Sequence, residues 1–336
     1  MSRLLDYVRL EAQQHFHRIQ ILPTVIVYLN NVCDSQCQTC AIWKNNEWLK
    51  VPAERQMAGA LLQELYGTVR TWRPKQILLS GGEPVLHPQF REAVREFKTI
   101  AGQVCVVTNG LLLHTLEPQV LGSVDEFYIS FDAPDSESYA KIRGVNGFDR
   151  LMASLTALRH VRTRPKIVAR CTLQRDNVRR LPELICTAKE FGFDSISFLA
   201  VDVSSGAFSR DVHGIADASA LRPGDEDLKI MEAAIEGVSV GNDRFVEGGA
   251  PKLCRLLEYF RALLGRNDFP PVRCNAPWTS VVIETTGKIR GCFFQPVIGD
   301  FRDINGKDAV EFRRGLKVDT DPTCRQCVCS KFVGAW

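Results

Sequence analysis

Six short apolar stretches alternate with amphipathic helical patterns between residues 24 and 201, and this alternation restricts the fold more than any other feature of the sequence. Strands separated by helices of this length pair in parallel, and the helices lie on the outside of the sheet. Six units, rather than eight, predict an α/β fold of the partial (β/α)6 TIM-like barrel type. The predicted strands are 24–30, 76–81, 103–108, 126–132, 166–173 and 195–201, and the clearest helices are 87–99, 148–160 and 178–191.

The composition limits the class of protein. The chain has 336 residues, enough for one large α/β domain and a smaller unit. Its net charge is +3, so we expect no nucleic-acid partner. No apolar run is long enough to span a membrane, and the apolar part of the N-terminus is too short for a signal peptide. Twelve cysteines without a secretory signal indicate metal ligation in a reducing cytoplasm rather than a disulfide scaffold.

A group of three cysteines follows the first predicted strand directly. Cys33, Cys37 and Cys40 have the spacing C-x3-C-x2-C. Three thiolates on one short loop can hold three irons of a [4Fe–4S] cluster and leave the fourth iron open to another ligand. A zinc site with its fourth ligand elsewhere in the chain is the alternative.

The second predicted strand ends in Gly-Gly-Glu-Pro, at residues 81–84. Glycines allow a backbone to come close to a ligand, and a carboxylate beside exposed backbone suits an ammonium group. A plain strand–helix turn is the alternative. Taken together and in this order, the two motifs resemble the signature of the radical S-adenosylmethionine (radical SAM) superfamily. Its members carry C-x3-C-x2-C after the first barrel strand and G-G-E-P after the second.

The resemblance implies S-adenosylmethionine (SAM) as a cofactor, bound at the carboxyl ends of the strands, where ligands of such folds lie. Arg143 resembles a family arginine that can pair with the cofactor carboxylate. Two positions depart from the common family pattern, Asp34 after the first cysteine and Thr39 before the third. Ordinary loop capping is the alternative for each polar residue. The implied cofactor-binding residues are Gly81, Gly82, Glu83, Thr108, Asn109, Ser130, Asp132 and Arg143.

A second group of cysteines lies in the last 63 residues. Apolar stretches at 279–284 and 288–290 flank a glycine-containing turn and predict a β-hairpin. A hairpin brings its two ends together, so Cys274 and Cys292 can share one metal centre. The tail supplies three more cysteines, Cys324, Cys327 and Cys329.

This second group resembles the auxiliary-cluster extensions of radical SAM enzymes, of the SPASM type and the shorter twitch type. Both begin C-x9-15-G-x4-C, and the short tail of this chain matches the twitch type better. The resemblance implies one auxiliary [4Fe–4S] cluster, with Cys329 as a possible replacement for one of the last two ligands. A structural zinc site is the alternative. The first-choice ligands are Cys274, Cys292, Cys324 and Cys327.

The remaining cysteines are expected in the core. Cys254 falls in a helical pattern at 252–264, where a buried core cysteine is favoured over a distal cluster ligand. The other three lie in apolar strand or helix contexts and are Cys105, Cys171 and Cys186.

The pattern divides the chain into four segments: an N-terminal helix within 1–22, the barrel at 23–202, a linker or lid at 203–250, and an auxiliary-cluster domain at 251–336. The N-terminal helix, predicted at 3–20, is expected to cap the barrel bottom with one apolar face. Arginines on it leave weak contact with a membrane surface as an alternative. The predicted apolar face contains Leu4, Leu5, Val8, Ala12 and Phe16.

The resemblance implies an enzyme of oxidoreductase or lyase type. A reduced cluster would cleave SAM to a 5′-deoxyadenosyl radical, which takes a hydrogen atom from the substrate. The electron would come from a donor such as flavodoxin or ferredoxin. An auxiliary cluster can accept the electron left on the substrate, which favours a net oxidation and requires the C-terminal hairpin to lie near the carboxyl face of the barrel.

The substrate is predicted only as a class. About 23 residues precede the first strand, too few for a peptide-binding domain, which favours a small molecule. Carbohydrates, aminocyclitols, nucleotide-sugars and lipid-linked compounds all fit this expectation. Peptide modification without the extra domain and a non-catalytic iron–sulfur scaffold are the alternatives. The sequence identifies no acid or base on the substrate side.

Overall fold

The structure is a computed structural model that describes residues 2–48, 55–214, 217–241, 244–329 and 331–333. All six predicted strands are present, and each pairs in parallel with the next. Their side chains are largely buried. Helices cover the outer face of the sheet, and the inner face surrounds a cavity. The strands are β1 (Thr24–Asn30), β2 (Gln76–Gly81), β3 (Gln103–Thr108), β4 (Glu126–Ser130), β5 (Lys166–Leu173) and β6 (Ser195–Ala200).

Helices connect these strands, as parallel pairing requires. None of the described helices is long and apolar enough to cross a membrane. The helices are α1 (Ser2–Phe16), α2 (Asn45–Trp48), α3 (Gly59–Trp72), α4 (Phe90–Ile100), α5 (Pro118–Leu121), α6 (Ser136–Arg143), α7 (Phe148–Arg159), α8 (Leu181–Glu190), α9 (Arg210–His213), α10 (Ala218–Leu221), α11 (Asp225–Gly241), α12 (Gly249–Leu263), α13 (Ala276–Thr279), α14 (Lys307–Gly315) and α15 (Pro322–Arg325).

The predicted C-terminal hairpin is confirmed, and it continues the barrel sheet. Strand β7 (Ser280–Ile283) pairs in parallel with β1, while β8 (Lys288–Arg290) and β9 (Val297–Asp300) follow antiparallel. Gly287 forms the turn with φ +83°. In the described residues the sheet is therefore open, with strand order β6-β5-β4-β3-β2-β1-β7-β8-β9. The fold is the predicted partial barrel with a cysteine-rich hairpin; the division at residue 251 stays a prediction.

Helix α1 ends earlier than predicted because His17 adopts a positive φ of 58°. The predicted apolar face is wrong in part: Val8 and Phe16 are exposed, whereas Leu10 and Gln13 are buried. The Gln13 amide donates to the backbone oxygen of Trp278 at 2.6 Å, next to the start of β7. Helix α1 therefore packs at the amino ends of the strands, as predicted for a bottom cap. Ala12 is half-buried, and the side chains of Leu4 and Leu5 lie outside the described residues.

Two of the four cysteines expected in the core are on the surface. Cys105 and Cys171 are buried in strands, as predicted, but Cys186 and Cys254 are exposed. In each of the two helices the buried residues lie on one side, and the cysteine faces the other. An apolar neighbourhood in the sequence does not say which side of a helix a residue occupies.

Candidate functional site

The first cysteine group lies on the loop that leaves β1. Cys37 is 9% exposed, and Cys33 and Cys40 are half-buried. Burial raises the pKa of all three thiols, and the nearby Cys37 raises the pKa of Cys33 and Cys40 further, the latter to about 12. Free thiols here keep their protons at neutral pH, so a metal centre must displace them on binding. Three close, soft donors on one loop fit a [4Fe–4S] cluster.

The segment at the end of β2 holds one side of the cysteine loop. The backbone N–H of Gly82 donates to the Asn30 oxygen at 2.9 Å, and that of Glu83 donates to the Val32 oxygen at 2.8 Å. A Cβ on Gly82 would lie 2.0 Å from the Val32 oxygen, and one on Gly81, whose φ is +129°, would lie 2.3 Å from the Asn30 oxygen. Both glycines are therefore required by the close approach of two backbones.

The end of α6 holds the other side of the loop. The backbone N–H of Gln36 donates to the Arg143 oxygen at 2.9 Å, and that of Gln38 donates to the Ile142 oxygen at 3.2 Å. Gly144 has φ +68°, and a Cβ there would lie 2.4 Å from the Gln36 oxygen. The three cysteines thus lie on a loop that is fixed from two directions.

The Glu83 carboxylate is buried and braces the end of β3. It is 0% exposed and accepts hydrogen bonds from the Thr108 hydroxyl at 2.7 Å, the Asn109 N–H at 2.7 Å and the Val85 N–H at 3.2 Å. Burial raises the pKa of Glu83 to about 7, although these hydrogen bonds lower it. The carboxylate therefore organises its neighbours and does not reach the surface of the site.

Asn109 connects the end of β3 to the cysteine loop. Its amide donates to the Asp34 carboxylate at 2.6 Å and to the Ser35 hydroxyl at 3.1 Å. Asp34 also pairs with Arg150 at 3.7 Å. The aspartate that departs from the common family pattern thus accepts the Asn109 amide.

Arg143 and Asp132 form a nearly buried ion pair at 2.9 Å. The other oxygen of Asp132 accepts the Thr172 N–H at 2.7 Å. The Nε of Arg143 is buried and has no hydrogen-bond partner among the described residues. Asp132 is therefore engaged within the protein, whereas Arg143 keeps one donor for a further acceptor.

A cavity of about 520 Å³ occupies the inside of the barrel. Alternate residues of the strands face it, as the pleat of a strand requires, among them Ser80, Tyr128 and Ser130. All five cysteines of the C-terminal group line the same cavity: Cys274, Cys292, Cys324, Cys327 and Cys329.

The C-terminal cysteines lie at the amino ends of the strands. Lys331 donates from Nζ to the hydroxyl of Thr24, the first residue of β1, at 3.2 Å, and its backbone oxygen accepts the Asn275 N–H at 3.0 Å. The expectation that the hairpin brings this group near the carboxyl face is wrong. Because β7 runs parallel to β1, the hairpin turn points to the carboxyl face, and Cys274 and Cys292, at its two ends, lie at the opposite one.

The five C-terminal thiols influence one another, and four of them accept N–H donors. Cys274 accepts the Ala276 N–H at 3.5 Å, and Cys292 accepts backbone N–H groups of residues 294 and 295. Cys324 accepts the side-chain amide of residue 295 at 3.3 Å, and Cys327 accepts a backbone N–H at 3.3 Å. N–H donors stabilise thiolate sulfur. These four are the first-choice ligands; the described hydrogen bonds include none to the sulfur of Cys329.

The described residues contain no group of three or more His, Cys, Asp or Glu side chains that converges on the position of a single metal ion. Thiolates on one zinc ion lie about 3.8 Å from one another, given a Zn–S distance of about 2.3 Å. A four-iron cluster takes each thiolate at a different iron and needs no such convergence.

Aromatic side chains connect the two cysteine groups along one wall. Burial raises the pKa of Tyr28, and the nearby Cys40 raises it further. The Tyr28 ring lies 6.2 Å from that of Phe293, which follows Cys292 in the chain. Phe208 lies 6.2 Å from Phe293 and borders the cavity.

Part of the predicted lid lies over the segment that follows the third cysteine. The Ala41 N–H donates to the Phe208 oxygen at 3.1 Å, and the Asn45 amide donates to the Ser209 hydroxyl at 3.2 Å. A buried ion pair between Asp202 and Arg210 closes this segment on itself. The start of the predicted 203–250 segment therefore contacts the chain just after Cys40, and its role as a lid stays a prediction.

The family model for the radical SAM superfamily matches residues 27–197, more than half of the chain. The chain belongs to the radical SAM superfamily. Members of this superfamily use a [4Fe–4S] cluster and SAM, and the matched residues include all three cysteines of the first group.

Curated relatives of this radical SAM protein match it over part of its length. A probable GTP 3′,8-cyclase of Thermoplasma volcanium is 26% identical over 166 residues, 49% of each chain. The S-adenosyl-L-methionine-dependent tRNA 4-demethylwyosine synthase of Pyrococcus abyssi is 30% identical over 143 residues, 40% of this chain and 41% of that protein. The chain spans about half the length, or less, of these relatives.

Solved structures share the fold over nearly the whole chain. SuiB of Streptococcus suis bound to S-adenosylmethionine superposes with a TM-score of 0.64 at 14% identity, covering 96% of this chain and 75% of SuiB. Native anSMEcpe with bound AdoMet gives a TM-score of 0.59 at 15% identity, covering 90% of this chain and 86% of that one. At these identities the likeness shows the fold alone.

Several polar residues of the cavity were missed by the sequence reasoning. Arg170, Ser197 and Tyr128 face the cavity from β5, β6 and β4, and Lys252 enters from α12. A charged residue inside an apolar strand is a signal that could have identified Arg170, because a buried charge needs a partner. Nothing in the sequence around Lys252 indicates its place in the cavity, because that place depends on how α12 packs against the barrel.

Proposed function

We propose that this radical SAM protein is an enzyme that reductively cleaves SAM at a cluster held by Cys33, Cys37 and Cys40 and then oxidises a small molecule in the barrel cavity. One observation carries the proposal. A single cavity is lined both by Ser80 and Ser130, near the carboxyl ends of the strands, and by all five C-terminal cysteines. A substrate in this cavity would lie between the predicted SAM site and the auxiliary cysteines.

The residues around the first cysteine group support SAM binding. When bound, the cluster supplies one electron to the sulfonium of SAM, which gives methionine and a 5′-deoxyadenosyl radical. Backbone hydrogen bonds from the end of β2 and from the end of α6 hold the loop that carries the three thiols. Ser130 faces the cavity, and the free Nε of Arg143 can donate to the cofactor carboxylate. Glu83 would act by fixing Thr108 and Asn109 rather than by touching the ligand.

The second cysteine group supports an electron acceptor on the other side of the substrate. An auxiliary [4Fe–4S] cluster on Cys274, Cys292, Cys324 and Cys327 would supply that acceptor. Burial raises the pKa of Cys292, Cys324 and Cys327, and the N–H donors to these three sulfurs offset part of that rise, which favours loss of the proton when iron binds. The aromatic rings beside them make one wall of the cavity apolar. A flavodoxin- or ferredoxin-like donor would deliver the first electron.

The cavity volume favours a small molecule. About 520 Å³ lies within the range of sites that enclose small ligands. Relatives named GTP 3′,8-cyclase act on a nucleotide, which is also a small molecule. Peptide modification is the second candidate, because the fold also superposes on SuiB bound to precursor peptide SuiA with a TM-score of 0.61.

Replacing the first cysteine group tests the proposal. The triple variant Cys33→Ala/Cys37→Ala/Cys40→Ala should form no 5′-deoxyadenosine after reduction, and its iron content should fall from about eight to about four per chain. Cys186→Ala, which removes an exposed cysteine, is the matched control and should retain both. Undiminished 5′-deoxyadenosine from the triple variant would refute the radical mechanism.

A further inference from the structure

We propose that Arg170 and Lys252 form an anion-binding site inside the barrel, and that the substrate therefore carries a compact oxyanion, a carboxylate or a phosphate. The inference rests on the proposed function, because it names the chemical class of the molecule that this cavity takes.

Two cations share one neutral acceptor in the cavity wall. Arg170 donates from Nη1 to the Ser197 hydroxyl at 2.9 Å, and Lys252 donates from Nζ to the same oxygen at 2.9 Å. All three side chains line the cavity. A guanidinium has five N–H donors and an ammonium has three, so most of the donors of this pair remain available.

Neither cation has a carboxylate partner. Within the part of the chain that the structure describes, no salt bridge within 4 Å involves Arg170 or Lys252. The nearly buried Arg143, by contrast, pairs with Asp132 at 2.9 Å. Two like charges that share a hydroxyl repel each other, and this cost is offset when an anion binds between them.

Glu247 is the acidic side chain that faces this pair, and other groups engage it. One of its oxygens accepts the Ser195 hydroxyl at 3.0 Å and Lys166 Nζ at 3.2 Å. Burial and the Arg170 charge lower the pKa of Lys252, while the Glu247 charge raises it. Lys166 is shared between Glu247 and Glu126, which it contacts at 2.8 Å. Three cations, Lys166, Arg170 and Lys252, therefore lie among two carboxylates, and the wall keeps a net positive charge.

The position of the pair suits a substrate group better than a structural ion. Arg170 pairs along the sheet with Ser130, a predicted SAM contact, on one side and with Ser197 on the other. Lys252 lines the same cavity as Cys329. An anion here would anchor the substrate between the predicted SAM site and the auxiliary cysteines.

Inorganic phosphate is the probe for the test. The anaerobically reconstituted protein is titrated with phosphate at constant ionic strength in a calorimeter. Lys252→Gln and Arg170→Gln should each weaken phosphate binding about tenfold or more, since a charge-assisted donor is lost. The matched control Lys229→Gln removes an exposed lysine of α11 and should bind as the wild type does. Equal affinity in the wild type and in both cavity variants would overturn the anion site.

A second arm identifies the source of the anion, because the carboxylate of SAM has the same chemistry. The affinity of the wild type for SAM is measured with and without saturating phosphate. Simultaneous binding supports a substrate site, whereas competition would assign the two cations to the cofactor and overturn the inference. The proposed function fails separately, if the wild-type protein forms no 5′-deoxyadenosine.

A measurement of thermal stability distinguishes a binding role of Lys252 from a structural one. Removing one of two repelling charges should leave the thermal midpoint of Lys252→Gln unchanged or higher in the absence of phosphate. A lower midpoint together with unchanged phosphate affinity would show that Lys252 is a structural group, and would also overturn the inference.

Discussion

Replacing Gly144 with alanine should dislodge the first cysteine loop while the rest of the fold persists. Gly144 follows α6 with φ +68°, and an added Cβ would lie 2.4 Å from the backbone oxygen of Gln36. Side-chain Cβ atoms do not approach other atoms closer than 3.0 Å, so the loop must move by more than half an ångström. Gln36 lies between Cys33 and Cys37, and the movement therefore directly reaches two of the predicted cluster ligands.

The expected loss in the free energy of unfolding of Gly144→Ala has two parts that can be measured separately. A left-handed backbone at a non-glycine residue costs about 1–2 kcal/mol. Forcing atoms into a packed site adds about 1–3 kcal/mol. Gly265 has nearly the same backbone, with φ +71°, and also follows a helix, but an added Cβ would meet nothing within 4 Å. Gly265→Ala therefore isolates the backbone term, and the difference between the two variants measures the contact with the loop.

The assay combines denaturant unfolding with iron analysis. We expect Gly265→Ala to lower the free energy of unfolding by about 1–2 kcal/mol and to keep about eight irons per chain. Gly144→Ala should lose roughly 2–5 kcal/mol and retain about four irons, those of the auxiliary group. Equal destabilisation of the two variants, or a full iron content with wild-type SAM cleavage in Gly144→Ala, would refute this reasoning.

Two further predictions concern the auxiliary group and a buried acid. Cys292→Ala and Cys327→Ala should still cleave SAM but form little oxidised substrate; wild-type turnover in a variant that retains only about four irons would make the auxiliary cluster structural. Burial raises the pKa of Glu83 from 4.5 to about 7, so its contribution to stability is fully present below pH 4.5 and is lost as the pH rises to 7. That loss is roughly 3 kcal/mol. Thermal midpoints at pH 5 and pH 8 should therefore differ less in Glu83→Gln than in the wild type, and an equal difference would contradict the assignment.

The strands of the barrel could be predicted from the sequence because each depends on residues within one short segment. An apolar, β-branched run such as 24–30 forms a strand wherever it pairs, and the six strands lie within one or two residues of their predicted bounds. The spacing of Cys33, Cys37 and Cys40 fixes them on one loop by connectivity alone. The hairpin around Gly287 was equally readable, because its turn and both strands lie within twelve residues.

Long-range contacts could not be read from the sequence. Nothing in residues 280–283 indicates that they pair with β1, and the sequence reasoning therefore placed the auxiliary cysteines at the wrong end of the barrel. The buried position of the Glu83 carboxylate depends on Thr108 and Asn109, which lie about 25 residues further along the chain. Likewise, the outward orientation of Cys254 depends on what α12 packs against.

The pairing of β7 with β1 has a consequence for any attempt to separate the two parts of this protein. A chain cut before residue 280 would make β1 an edge strand, and its N–H and C=O groups that now bond to β7 would face solvent. Val25 and Val27 are fully buried, so this new edge strand would also be strongly apolar. Exposed apolar edge strands pair with strands of other molecules, and the protein then aggregates. The C-terminal hairpin thus covers a side of the barrel sheet that would otherwise be open to pairing, whatever else its cysteines do.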